Sequence, residues 1–307
     1  MVEMAEVVSG GSAMLREKPF IIHYSEPLSP LVHSPGALKK LFYCAEKGIP
    51  VTYTPGMLSG ATGPATLAGA IIVANAEALS GIVLHQLKAK GAPIISGFGI
   101  ATMDMLTAAP IYGCPEYRLA LSACSDLYHF YGIPMWGTAG VSDSNCFDQQ
   151  AGWEAGISLL TAALDGANLI HDVGYMGQGI IGSPAYIVMC AEIISYVKRI
   201  VRGFEVTPER IDLNEIRQVG PGGNFLMADH TLKFHKEEHW RPKFSNRDTL
   251  NSWIEKRSRT YMETVTQKAR EILKTHSTEP LPEEKRLLIE DIRKKAEKNL
   301  AGIRFEA

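Results

Sequence analysis

Between residues 19 and 202 one pattern recurs five times: a short β-rich run, often entered through proline, then a turn rich in Gly, Ser and Thr, then a long amphipathic stretch. The strand candidates are Pro19–Tyr24, Pro50–Tyr53, Pro93–Ser96, Ile133–Gly137 and Asn168–Val173, with starts 31, 43, 40 and 35 residues apart. That spacing holds a strand, a loop, a helix and a return, and is far too long for hairpins. The intervening helices are expected over Gly36–Lys47, Leu67–Lys90, Pro115–Tyr131, Ala151–Asp165 and Ala185–Arg202. The pairs Lys47-Gly48, Lys90-Gly91 and Tyr131-Gly132 offer a left-handed residue to end a helix. Such alternation predicts a parallel sheet with right-handed crossovers.

Periodicity does not separate an open doubly wound sheet from a barrel, but the loops do. An open sheet needs one or two chemically rich strand ends. Here all five strands run into polar loops, at Ser25–Pro30, Thr54–Pro64, Gly97–Thr107, Thr138–Gln150 and Gly174–Ser183. Five such loops share one mouth only in a (β/α) barrel. The expected class is therefore α/β, of the (β/α)8 TIM-barrel type. Eight units take about 250 residues, so a sixth strand is sought near Ile216–Leu226, and residues 1–16 read as the helix of an earlier unit. The barrel is expected to be incomplete, with its first strands absent from this chain.

Charge divides the sequence. Residues 1–196 hold 8 Lys or Arg and 15 Asp or Glu, whereas residues 197–307 hold 23 and 18. Sparse charge suits strands covered on both faces; the later density suits solvated helices, expected over Ser245–Lys274 and Pro282–Ala301. We divide the chain into a barrel portion, 1–240, and charged helices packed on it, 241–307. A net charge of −2 offers no field for nucleic-acid phosphates. Five scattered cysteines suggest neither a disulfide framework nor a zinc knuckle, and point to a reducing, cytoplasmic setting. The most apolar stretch, Leu67–Leu84, contains Asn75, Glu77 and Ser80, so no membrane segment is expected. A Schiff-base aldolase needs a lysine at a strand end; none occurs from Gly91 to Val197, and Lys18 and Lys47 precede their strands.

The segment Trp136-Gly137-Thr138-Ala139-Gly140-Val141-Ser142-Asp143-Ser144, continuing to Asp148-Gln149-Gln150-Ala151-Gly152, resembles the trimethylamine methyltransferase (MttB) superfamily. So does Gly166-Ala167-Asn168-Leu169-Ile170-His171-Asp172-Val173-Gly174-Tyr175. Ser29-Pro30-Leu31, Gly60–Gly69, Val219–Gly223 and His230-Thr231-Leu232 agree in the same order. The resemblance implies a TIM-barrel enzyme that moves a methyl group from a methylated amine to the cobalt of a corrinoid on a separate carrier protein. The corrinoid is then no resident cofactor of this chain, and methanogenesis is one setting for the chemistry. Trimethylamine-specific members carry pyrrolysine; members without it use quaternary amines such as glycine betaine. This sequence has only the twenty ordinary residue types and matches the second group. Family members are longer at the N-terminus, which agrees with the missing strands. Expected partners are the carrier, a small quaternary amine and further copies of the chain in a homo-oligomer. The alternatives are a trimethylamine-type enzyme, a metal-dependent TIM-barrel lyase and an inactive truncated homologue.

Demethylating a quaternary ammonium is an in-line displacement with a neutral amine leaving, so no general acid is needed. The site must hold a cation without a tight ion pair, since overstabilising the ground state raises the barrier. Aromatic faces do this at about 0.5–2 kcal/mol each. Tyr24, Tyr53, Phe98, Trp136 and Tyr175 lie on or just after five strands and are candidate cage residues. His171, Asn145, Gln149 and Gln178 are candidate donors to a substrate carboxylate. Asp143 is a candidate ligand contact, whereas Asp148 reads as a helix cap. Each aromatic has wall packing as its rival role. Cys146 with His171 is too thin a set for zinc.

Overall fold

The computed structural model describes residues 1–301; residues 302–307, the end of the expected 241–307 portion, lie outside the described part. All five expected strands are present, as His23–Ser25, Val51–Tyr53, Ile94–Ser96, Trp136–Thr138 and Leu169–His171. Parallel pairing runs first to second to third, with Tyr24 opposite Thr52 and Thr52 opposite Ile95. A parallel bridge from Ser96 to Met135 reaches the fourth strand, and the fourth pairs in parallel with the fifth, Thr138 opposite His171. Spatial order thus follows chain order, and the sheet is wound in one direction only. Among the described residues its ladders end at the first and fifth strands, so closure into a barrel is not seen.

Helices fill the crossovers at Pro35–Lys47, Leu67–Lys88, Pro115–Tyr131 and Gln149–Leu164, and Pro184–Val201 follows the fifth strand. Each end lies within two residues of its expected place. Local chemistry sets these limits. Ser34, Asp148 and Ser183 accept from Ala37, Ala151 and Tyr186 N–H at the N-termini, and Gly48 and Gly132 end their helices at φ 69° and 65°.

Three expectations need correction. Ile216–Leu226 is not a strand: Asp212 caps a helix at Leu213–Val219, and a glycine-rich turn follows. Residues 1–16 form two helices, Val2–Ser9 and Ser12–Glu17, because Gly10 and Gly11 take φ 89° and 131°. Ser245–Lys274 is helical only at Leu250–Glu255 and Tyr261–Thr275; the last charged helix is Glu283–Leu300. Separately from these, one helix among the described residues, Leu67–Lys88, is long and apolar enough to cross a membrane by length and composition alone. Its Ala70, Ala74, Glu77 and Ala78 are nevertheless buried, and the Glu77 carboxylate accepts from Ser29 Oγ at 2.8 Å and Leu31 N at 2.6 Å.

The chain resolves into two compact units. Of the described residues, the first comprises Met1–Thr138, Ala167–His171 and 274–301; the second comprises Ala139–Gly166 and Asp172–Leu273. All five strands of the one-way sheet belong to the first. Its core has one cluster around Leu15, Leu41, Ile49, Val51 and Tyr53. Another joins Ala70, Ala74 and Ala78 to Phe98, Ile100 and Tyr128. The alanines recur every fourth residue, so they lie on one helix face and let the sheet approach closely.

Candidate functional site

Register sorts the strand residues of the first unit onto two faces, because side chains alternate along a strand and paired residues share a side. Tyr53, Ser96 and Met135 lie on the face toward the helices. Tyr53 is fully buried, with its ring tight against Gly81 and its hydroxyl 2.6 Å from His33 Nδ1. Burial first, then the Glu77 carboxylate, pushes its phenol up to about 12. Phe98, just after the third strand, is also fully buried and meets Tyr128 edge to face at 6.4 Å. These two candidate cage residues are core residues, their faces spent on packing.

The opposite face carries Tyr24, Thr52, Ile95, Trp136, Thr138 and His171. Trp136 and His171 stack with ring centroids 4.5 Å apart and planes 30° from parallel. Tyr24 joins them, 6.0 Å from Trp136 and 6.4 Å from His171. Three sequence-predicted residues from the first, fourth and fifth strands therefore form one aromatic group. Trp136 is 9% exposed and Tyr24 43%, so the group runs from the buried sheet to solvent. Tyr24 Oη donates to Glu26 Oε2 at 2.8 Å. Thr138 Oγ1 lies 2.9 Å from His171 Nε2, which fixes the plane of the imidazole.

Two contributors escaped the sequence reading. Thr138 is one. The other is Arg118, a buried residue of the Pro115–Tyr131 helix, whose Nη1 donates to the Thr138 carbonyl at 2.7 Å while its guanidinium lies over the Tyr117 ring. A signal for it existed: Arg118 is the one lysine or arginine between Lys90 and Lys198. An arginine retained in so apolar a stretch has a buried partner to satisfy.

Asp143, Asn145, Gln149 and Tyr175 belong to the second unit. There the Ala139–Asp148 loop is pinned to the segment after the fifth strand: Gly174 N donates to Gly140 O, Ser142 N to Tyr175 O and Gly177 N to Ser144 O, at 2.8–3.0 Å. Tyr175 is 44% exposed, and Asn145 and Gln149 are exposed. Gln178, next to this segment, takes φ 60°. The organiser of the loop is Glu154, another residue the sequence reading passed over. Buried on the Gln149–Leu164 helix, its carboxylate accepts from Ser142 Oγ at 2.5 Å, Asp143 N at 2.9 Å and Gln150 Nε2 at 2.8 Å. Its only trace in the sequence is the helical spacing of Gln150 and Glu154. Asp148 caps the helix as expected; Ala151 N–H and then Ser144 Oγ hold its carboxyl below the usual range. Among the described residues, no three His, Cys, Asp or Glu side chains gather at metal-binding distance.

Comparison with known proteins gives this geometry a context. Residues 1–299 match the trimethylamine methyltransferase (MTTB) family. The glycine betaine methyltransferase of Desulfitobacterium hafniense strain Y51 is 35% identical over 260 residues, covering 84% of this chain and 54% of that protein. The trimethylamine methyltransferase MttB of D. hafniense strain DCB-2 is 34% identical over 283 residues, 92% of this chain and 57% of that protein. MttB of Methanosarcina barkeri strain Fusaro is 32% identical over 294 residues, 96% and 59%. The chain thus spans a little over half the length of these relatives. A match across nearly the whole chain, with the one-way parallel sheet, establishes that the protein belongs to the trimethylamine methyltransferase (MTTB) family.

Proposed function

We propose that this chain carries the amine-binding part of a methyltransferase that moves a methyl group from a small quaternary amine of the betaine type to the Co(I) of a corrinoid held on a separate carrier protein. With it goes the proposal that the five strands are part of a (β/α)8 barrel. Their single winding direction and the family support the barrel; the names of the relatives support methylated amines as substrates. The observation that carries the reading is the group of Tyr24, Trp136 and His171 on one sheet face.

The residues present suit a permanent cation. Ring faces attract quaternary ammonium through their quadrupoles at about 0.5–2 kcal/mol each, and no carboxylate from the five strands lies on that face. Glu26, beyond the first strand, is engaged by the Tyr24 hydroxyl, and a nitrogen resting on the rings has no strand carboxylate to part from as its charge disappears. Thr138 keeps the His171 ring stacked on Trp136, so the cage wall is set before substrate arrives. The carrier's corrinoid, acting here as a substrate, supplies the nucleophile; the tertiary amine leaves uncharged, and no protein group moves a proton.

The test mixes the purified chain with reduced cobalamin or a corrinoid carrier and with glycine betaine or trimethylamine, and follows methyl-cobalt absorbance. Methylation from glycine betaine is expected. Transfer from trimethylamine alone reverses the substrate class. Absence of transfer from either, with a chain extended at its N-terminus to the relatives' length as well as with this one, defeats the reading.

A further inference from the structure

The second unit holds a cavity of about 870 Å³ between the Gln149–Leu164 and Pro184–Val201 helices. Gly152, Gly156 and Leu160 line it from the first helix, and Met189, Ile193 and Val197 from the second; Trp240 and Tyr261 also face it. A methyl group added at Gly156 would meet nothing within 4 Å. Packing does not require glycine there, and its bareness leaves the space open.

A second cavity, of about 770 Å³, lies within residues 241–264 and shares Ser245, Arg247 and Tyr261 with the first. Its charged lining is Arg241, Arg247, Lys256, Arg257 and Arg259 against Asp248 and Glu255. Asp248 is paired with Lys256 at 2.7 Å. Arg257 and the adjacent Ser258 hold φ 70° and 49°, a conformation that costs energy in non-glycine residues and collects at binding sites. The two carboxylates lining the apolar chamber are already engaged. Asp148 caps its own helix. Glu192 accepts from the N–H groups of Lys243, Phe244 and Ser245 and from the hydroxyls of Ser245 and Tyr261. An apolar chamber thus opens onto a basic one, and Arg247, with its guanidinium 5.5 Å from the Trp240 ring, stands at their junction.

We propose that these paired chambers bind a small amphiphilic organic phosphate, its apolar body between the two helices and its phosphate on Arg247 and the basic wall. The apolar chamber is of a size that encloses small molecules, and the planar guanidinium fork matches a phosphate edge. The proposal stands apart from methyl transfer, since Tyr24, Trp136 and His171 line neither chamber.

The test titrates the full chain with 1-anilinonaphthalene-8-sulfonate, a fluorescent anion with an aromatic body, and then displaces it with octyl phosphate, inorganic phosphate or octanol. One saturable site per chain is expected, emptied by octyl phosphate at concentrations at least about tenfold below either other competitor, because only it occupies both chambers. Gly156→Trp, with its far-ultraviolet dichroism unchanged, abolishes binding. Arg247→Gln, on a loop where folding is not at stake, weakens octyl phosphate about tenfold, the loss of one charge-assisted contact. Equal displacement by inorganic phosphate reduces the site to its basic half and overturns the proposal; equal displacement by octanol reduces it to the apolar half and does the same. A concentration-dependent dimer that Gly156→Trp dissociates would give the groove to a second copy instead.

Discussion

Gly81 and Gly156 both lie inside helices, yet replacing each by alanine is expected to move stability in opposite directions. Backbone entropy favours alanine in a helix interior by about 1 kcal/mol at either place. At Gly81 the new Cβ would stand 2.1 Å from Tyr53 Cδ1 and 2.3 Å from Cε1. The ring has no room to yield: Tyr53 is fully buried and its hydroxyl is held by His33. Overpacking of this kind costs about 1–3 kcal/mol, and so close an approach belongs in the upper half of that range. Gly81→Ala is then expected to destabilise by about 1–2 kcal/mol, lowering the melting temperature by about 3–6 °C. At Gly156 only the entropic gain remains, about 0.5–1 kcal/mol, raising it by about 1–3 °C. Thermal melts of both variants beside the parent check this. A Gly81→Ala chain as stable as the parent would show that the ring is not wedged against that helix, and the assignment of Tyr53 to the core would fall with it.

Trp136→Leu removes the central ring face and is expected to raise KM for the amine about tenfold or more, the equivalent of about 1.4–2 kcal/mol; steady-state kinetics decide, and an unchanged KM removes Trp136 from the site. Glu154→Gln keeps the shape but turns an amide N–H₂ toward groups that already donate. A loss of about 1.5–3 kcal/mol is expected in urea unfolding, and a loss below about 0.5 kcal/mol would contradict the network drawn around Ser142 and Asp143. Burial pushes the Glu192 carboxyl up, but hydrogen bonds from Phe244 N–H, Tyr261 Oη, Ser245 N–H and Lys243 N–H outweigh it and hold the group below its ordinary range. A pKa lowered by folding contributes stability above the unfolded value and loses it as pH falls through the folded one. Melting temperature should therefore drop more steeply below about pH 4.5 in the parent than in Glu192→Gln; parallel slopes would refute it.

The elements of the first unit were legible because their signals are local. Proline entries, capping residues such as Ser34 and closing glycines such as Gly48 act within a few residues, so strands and helices lie where spacing placed them. The misplaced strand at Ile216–Leu226 shows where that reading stops: Leu213 and Ile216 stand three apart on a helix face, and only Asp212 as a cap distinguishes this from a short apolar run. Glu192 shows another limit. Nothing near it in sequence tells that a glutamate on the Pro184–Val201 helix is satisfied by backbone some 50 residues later. Glu154 and Arg118 were missed for the same reason, since a buried charge is recognised by its partners and those come from the fold.

The aromatic candidates divide along a boundary that the sequence contains but does not reveal. Tyr24 and Tyr53 both stand near the ends of their strands, and end position alone ranks them together. Register does not: Tyr24 is opposite Thr52, so Tyr53 pairs one step further on and faces the other way. A one-residue slip would exchange their fates. Thr52 and Ile95 then supply what the second and third strands add to the face of Tyr24, Trp136 and His171, and neither is ionisable. Thr52 is fully buried and shares its hydroxyl with Thr54 at 2.8 Å, so it offers an incoming cation no competing charge. A face built from ring quadrupoles over neutral side chains attracts a quaternary nitrogen while lowering its energy by only a few kcal/mol. In the displacement proposed above, which would erase the charge, attraction of that size would select the substrate without deepening the well from which it must react.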